Sequence, residues 1–392
     1  MAGGGDALFY VRLASNVAEG RGFAYYAGPT AFRPPIYPLF LAGLMRLFGS
    51  SALFAARVVQ LGVGLATAWL CARTTSRVFG ERAGRIALVF ALFLPTLVAL
   101  STELMTECFA TFLAAMFFDF ILLNPALSKW STAVFLGLIV GLATLLRFNM
   151  AILGLVALAA LATGVEWSRA WRLMCLVTAV AGLMVAPWVV RNLIVFHGRV
   201  FLSTQGGINM VQGVLTPQGR VQGNDLDVLH AVVGWQAGDV ESNQAPRFSL
   251  APEPDLDRRA RAQALELWRK ENWRLIPLSL KKLGYFWLST DKVFWTHSFS
   301  WKQRIVRLGG VLAHWSVLAL AIFGWLRLRR EHARISLFLL GYAVLVSLAH
   351  LPFIMSSRYR VPFLETVLVM LAAGGISFHA RFTRSRHVDG TD

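Results

Sequence analysis

The sequence is short of acid and of cysteine. Its 392 residues hold 21 Asp and Glu against 38 Lys and Arg, with only three cysteines. Cys71, Cys108 and Cys175 each fall inside an apolar block, which excludes a disulfide framework and reads as small buried hydrophobes. Charge is scarce altogether, at 15% of residues against 56% hydrophobic, and this excludes an ordinary soluble domain. No basic groove with interleaved aromatics accompanies the net charge of +17, so a nucleic-acid partner is excluded as well. The histidines His197, His230, His297 and His350 lack ligand spacing, so no metal ligands are assigned. No cofactor is indicated, and a divalent metal is left open. A signal peptide is missing, and so is any internal repeat visible by eye.

What the sequence has in abundance is long apolar runs of about 18–25 residues, the length that crosses a hydrocarbon core. They predict an all-α integral membrane protein of about nine transmembrane helices, near 52–77, 83–100, 104–123, 131–146, 148–164, 171–194, 304–326, 334–353 and 361–380. Cationic connections stay cytoplasmic, which fixes an orientation. With Arg73–Arg85 inside, strict alternation also puts Lys129, Arg169 and Arg172, Arg327–Arg334 and the tail with Arg381, Arg384 and Arg386 inside. The connections at 101–103, 147–149 and 355–360 then lie outside, with residues 1–50 and the stretch 195–303. Alternation also leads to the expectation that a further apolar helix precedes residue 1. Ile36–Phe48 is too short to span and reads as an interfacial helix.

Four regions follow. Residues 1–50 form outer juxtamembrane helices and a first loop, with a helix at 7–18 capped by Asp6 and closed by Gly20 and Gly22. Residues 51–195 form a transmembrane bundle. Residues 196–303 form a mixed, mostly irregular outer loop domain. Turns are expected there at Gly206-Gly207 and Pro217-Gln218-Gly219, a helix at 256–272 capped by Asp257, and an aromatic-rich interfacial stretch from Trp273 to Trp301 with Lys281, Lys282 and Lys292. Residues 304–392 supply the C-terminal transmembrane helices and a cytoplasmic tail.

Ionisable groups at a membrane face are costly unless they line a cavity, so they are the first site candidates. On the outer side these are Asp6, Arg12, Arg33, Glu103, Glu107, Arg147, Arg191, Arg358 and Arg360, apart from the long loop. An excess of guanidinium over carboxylate suits an anionic ligand, with one acid left to act as a base. Each has a plainer reading. Asp6 can cap its helix, Arg33 can reach to headgroups, Glu107 can bond neighbouring helices, Arg147 can mark a membrane boundary, and Arg191-Asn192 can anchor the loop's entry.

The order of several short motifs resembles the GT-C glycosyltransferases, and among them the bacterial enzymes similar to protein O-mannosyltransferases and to the aminoarabinose transferase of lipid A. Gly5-Asp6-Ala7-Leu8-Phe9-Tyr10 with Ala18-Glu19-Gly20-Arg21-Gly22-Phe23 resembles their first outer loop. Phe32-Arg33-Pro34-Pro35-Ile36-Tyr37-Pro38 is similar to their basic-Pro-Pro motif, and Thr106-Glu107 to a Thr-Glu at an outer helix end. Pro187-Trp188-Val189-Val190-Arg191-Asn192, followed by Ser203-Thr204-Gln205-Gly206-Gly207-Ile208-Asn209, is similar to the opening of their large loop. Arg358-Tyr359-Arg360-Val361-Pro362 is similar to a late Arg-Tyr-x-x-Pro. Many relatives carry Asp-Glu in the first motif, where Ala7 follows Asp6 here.

The resemblance implies an enzyme of the bacterial inner membrane with its site on the periplasmic side. It would transfer a sugar, with inversion, from a polyprenyl-phosphate-sugar donor to a hydroxyl of an unspecified glycan, lipid or protein acceptor. It implies Asp6 as the catalytic base. Arg33, Arg358 and Arg360 would hold the donor phosphate, with Glu107, Arg147, Arg191 and Asn209 as further site candidates. Two other classes stay open: a transporter or flippase of lipid-linked saccharide, although neither paired repeats nor broken midplane helices are evident, and a non-catalytic membrane scaffold.

Overall fold

The computed structural model describes residues 5–25, 28–124, 127–215, 253–289 and 301–388. The expected turn at Pro217–Gly219, and the residues Lys292, His230 and His297, lie outside them. The described chain is a helical bundle with one two-residue hairpin, Ala24–Tyr25 (β1) against Gly28–Pro29 (β2), in antiparallel register Ala24↔Pro29.

The chain opens with α1 (Gly5–Ala18), the hairpin and α2 (Ile36–Phe48), and a single 3-10 turn leads into α3 (Ala52–Phe79). Ile36–Phe79 thus forms one helical stretch of 44 residues, interrupted at Gly49, whose φ is 52°. α3 alone, at 28 residues, is long enough to cross a hydrocarbon core of about 30 Å, so α2 is not needed for the span.

Gly80, at φ 93°, ends α3 and opens α4 (Glu81–Phe93) in a reversal that no β-carbon tolerates cheaply. The apolar run 83–100 is not one helix. Pro95 cannot donate to the ladder, and the helix breaks at Leu94, with α5 (Pro95–Thr102) bent 51° from α4. There follow α6 (Glu107–Leu123), α7 (Trp130–Leu146), α8 (Ile152–Gly164) and α9 (Trp167–Val195). Beyond them come α10 (Gly206–Leu215), α11 (Glu253–Glu271), α12 (Leu275–Leu288), α13 (Trp301–Glu331), α14 (Ala333–His350) and α15 (Ser357–Val388).

By length and composition five of the described helical stretches can cross a membrane, or six if the bent pair α4–α5 counts as one span. The expected nine included α6, α7 and α8, which at 17, 17 and 13 residues are shorter than these five and are not counted with them.

Small residues set the tightest packing, as they must where lipid removes the hydrophobic drive between helices. Gly137 and Gly141 lie one turn apart on α7, and a β-carbon on either would overlap Val180 or Met184 of α9. Gly324 of α13 sits directly on the Leu371 carbonyl of α15, leaving no side chain between the two backbones.

A smaller core covers one end of the bundle. Phe9 and Leu13 of α1 pack with Phe32, Ile208 and Val211 of α10, and Ala260 and Ala264 of α11. Two acids tie this layer together. Glu253 accepts from the Ala31 amide at 3.1 Å and from Thr204 Oγ1 at 2.9 Å. Asp257 accepts from the Gly207 amide at 2.5 Å, so it caps α10 rather than its own helix, which already starts at Glu253. Gly206-Gly207, expected as a turn, is the first turn of α10.

Candidate functional site

At that same end six stretches of chain, from α1, the loop after β2, Thr106, the α7–α8 connection, residues 203–209 and the α14–α15 connection, enclose a cavity of about 370 Å³. Asp6, Arg33, Arg147, Asn209 and Arg358 all line it.

Asp6 lies in the first turn of α1, where it would be free to cap, but its carboxylate turns to two guanidiniums instead. Oδ1 pairs with Arg33 Nη2, and Oδ2 accepts from Arg358 Nη1 at 2.6 Å. Burial alone would raise the Asp6 carboxyl, yet Arg33 and Arg358 hold it well below the usual aspartate range. Arg33 is held from behind by rings: its guanidinium carbon is 5.4 Å from the Phe9 centroid, 5.6 Å from Tyr10 and 5.1 Å from Phe32. In the orientation its neighbours dictate, the Gln205 amide accepts from Arg33 Nη1 at 2.9 Å and donates to the Phe32 carbonyl.

Glu107 is 1% exposed and opens α6, where the helix dipole favours an anion. Its Oε1 accepts from Arg147 Nη1 at 2.8 Å and pairs with Arg358 Nε. Arg147 also donates to Thr106 Oγ1 at 3.1 Å and stacks over Tyr359. Arg358 therefore bridges both carboxylates. Three guanidiniums against two carboxylates leave this cluster with a formal charge of +1.

Two predicted residues are placed elsewhere. Arg360 is fully buried away from the cavity; its Nη1 donates to the Phe286 and Trp287 carbonyls at 2.7 and 2.8 Å, and its Nη2 lies 3.6 Å from Glu365 Oε2. It caps the C-terminal end of α12, where a cation is favoured. Two helical residues separated by two positions point about 200° apart, so Arg358 and Arg360 cannot face one cavity. Arg191 is a loop anchor. It donates to the Thr30 and Phe23 carbonyls at 2.8 and 2.9 Å and stacks over Trp188 at 5.1 Å. Trp188 and Asn192 complete that clamp, both donating to the Leu202 carbonyl.

The cavity also holds residues that sequence reasoning passed over, chiefly Asn149 and His350. They are 201 positions apart, and no spacing links them. Among the described residues, no group of three His, Cys, Asp or Glu is gathered in a way that could hold a metal ion.

Known proteins resemble this chain over part of its sequence and in fold. Residues 32–190, under half of the chain, match the family model of dolichyl-phosphate-mannose-protein mannosyltransferase. No curated protein sequence matches significantly. Among solved structures, the chain is similar to the oligosaccharyltransferase AglB of the archaeon Archaeoglobus fulgidus in complex with an inhibitory peptide and a dolichol-phosphate. The match has 17% identity and a TM-score of 0.57, over 100% of this chain and 48% of that one. An oligosaccharyltransferase of Archaeoglobus fulgidus in the apo form matches at 14% identity and a TM-score of 0.55, over 99% and 48% of the two chains. ArnT of Cupriavidus metallidurans bound to undecaprenyl phosphate matches at 17% identity and a TM-score of 0.43, over 97% and 74%. This chain thus spans about half the length of the oligosaccharyltransferase structures it matches. The shared feature is the fold.

Proposed function

On the GT-C glycosyltransferase fold that this chain carries, we propose that it is a membrane enzyme transferring a sugar from a polyprenyl-phosphate donor to a hydroxyl acceptor, with inversion, on the outer face of the membrane. The observation that carries the reading is the shared cavity in which one partly exposed carboxylate, Asp6, meets Arg33 and Arg358. A polyprenyl-phosphate sugar is a phosphodiester with a single negative charge, and the cluster it would meet has a formal charge of +1.

In the transfer, the acceptor oxygen forms a bond to the anomeric carbon while the bond from that carbon to the phosphate oxygen breaks. The acceptor proton passes to Asp6, and the bonding pair leaves with the phosphate. The sugar becomes oxocarbenium-like on the way. Arg33 and Arg358 are aimed where negative charge grows on the leaving phosphate, the place where fixed donors lower a barrier most. Docking of the phosphate gives these guanidiniums a second anion to serve. Asp6 is thereby relieved of part of its pairing and regains basicity when the acceptor is present. Glu107 and Arg147 position Arg358 from the buried side. The polyprenyl tail explains the location in a membrane, because it stays in the bilayer throughout.

The test is Asp6→Asn in membranes supplied with labelled lipid-linked sugar. Loss of transfer by at least a hundredfold at equal expression is expected, the range typical of a lost general base. Transfer at the wild-type rate would rule out the assigned base.

A further inference from the structure

Among the polar groups lining the cavity are two chemical sets. Asp6, Arg33, Arg147 and Arg358 are charged and pair with one another or with Glu107. Asn149, Asn209 and His350 carry hydrogen-bonding groups outside that network. A phosphate-linked sugar has the same division: one anionic group and one ring of hydroxyls.

His350 has a tautomer fixed by its surroundings. Its Nδ1 lies 2.7 Å from the Val346 carbonyl, which can only accept, so Nδ1 carries the proton. In the neutral ring Nε2 is then an acceptor, and it receives Asn149 Nδ2–H at 3.1 Å. The imidazole cannot turn away, because Phe286, Tyr359 and Phe363 surround it at centroid distances of 5.6, 6.3 and 5.5 Å. The bond therefore decides which way the Asn149 amide points. Its nitrogen faces His350, and its oxygen has no partner among the described residues. Asn149 itself is exposed, on the short 3-10 turn between α7 and α8. The Asn209 side chain, on the first turn of α10, is likewise without a hydrogen bond among the described residues. Its backbone is fixed at both ends, with Asn209 N donating to the Gln205 carbonyl and Ile354 N donating to the Asn209 carbonyl at 3.1 Å each.

We infer that Asn149, aimed by His350, and Asn209 read the hydroxyls of an uncharged sugar on the donor; this rests on the donor reading above. A planar amide presents an acceptor and donors at fixed angles, which matches hydroxyls that both donate and accept. A polar site of this kind gains discrimination because a missing or misplaced hydroxyl leaves its own groups unpaired. His350 is a positioning residue and touches the sugar only through Asn149. Preorganisation by a packed ring is what makes such a contact selective.

The test measures binding to the purified full chain in detergent, with citronellyl phosphate and with citronellyl phosphate bearing mannose, glucose or galactose. Wild type is expected to bind at least one glycosylated probe about tenfold or more tighter than citronellyl phosphate, as one or two added hydrogen bonds allow. Asn149→Ala and His350→Phe should each lose most of that gain while keeping the citronellyl phosphate affinity, which also shows that they are folded. His350→Gln, which keeps an acceptor facing Asn149, should recover part of it. A gain that survives both substitutions overturns the assignment, as does a parallel loss of citronellyl phosphate binding in both. Wild type that binds citronellyl phosphate with no gain from any sugar overturns this inference alone. Wild type that binds neither probe overturns the donor reading and this inference with it.

Discussion

Arg358 Nη1 donates to Asp6 Oδ2 at 2.6 Å, across a separation of 352 residues. Arg358 is the second residue of α15, where the helix dipole disfavours a cation, so the position must be secured by anions. Asp6 and Glu107 provide them, one on each side of the guanidinium. The basicity of Asp6 is thus set by Arg33 and, from far along the chain, by Arg358.

Arg358→Gln should move the acid limb of the transfer pH profile upward. With Arg358 gone, burial still raises the Asp6 carboxyl, and only Arg33 and the more distant Arg147 are left to lower it. The sign for stability follows. Because the folded carboxyl lies below its ordinary value of 3.8, its contribution is fully present above that pH and is lost as the pH falls below it. A profile whose acid limb is unmoved in the variant would show that Arg358 does not control Asp6.

Glu107→Ala should destabilise the fold by about 3–5 kcal/mol, the cost of breaking a buried ion pair and stranding its partners. The partners here are Arg147 and Arg358, neither of which has another carboxylate as deeply buried. Denaturant unfolding in detergent reads this directly, and a change below about 0.5 kcal/mol would place Glu107 among ordinary surface acids.

Gly137→Val or Gly141→Val should prevent normal packing of α7 on α9. Each added side chain meets backbone or a β-carbon of α9 rather than the free end of a flexible chain. Overpacking of this kind costs about 1–3 kcal/mol or more. Thermal melting of the purified variants checks it, with Gly182→Ala, where a β-carbon meets nothing within 4 Å, as the neutral control.

Lys282 gives a pH signature of its own. It is buried on α12, donates to the Leu351 carbonyl, and is pushed down to about 8 by burial. Between that value and the ordinary 10.5 the unfolded chain holds the proton more tightly, so wild-type stability should rise with pH across this window. Lys282→Met should flatten that rise. Equal slopes for the two proteins from pH 8 to 10.5 would disprove it.

Much of this architecture is written in local chemistry. The apolar runs locate the long helices, and Pro95 marks where one of them breaks, although run length alone hid the break. The motifs around Asp6, Arg33, Glu107 and Arg358 share one cavity because each sits at a helix end or loop on the same side of the bundle. Arg360 was separable from Arg358 in principle, since helical periodicity points them apart, but a motif read as a string conceals that angle. Asp257 precedes an apolar helical face and so looked like a cap for its own helix. Only tertiary packing brings the Gly207 amide to it. The pairing of Asn149 with His350 leaves no trace in the sequence, because it depends on how the turn before α8 meets the end of α14.

The Arg358 bridge also sets an order of assembly during synthesis. A nascent chain that has emerged as far as α9 already holds Asp6, Arg33, Glu107 and Arg147, but lacks the guanidinium that joins their two carboxylates. That guanidinium is carried by α15, the helix that Gly324 packs against α13. Up to α9 the cluster counts two carboxylates against two guanidiniums, and its single excess positive charge arrives only with Arg358.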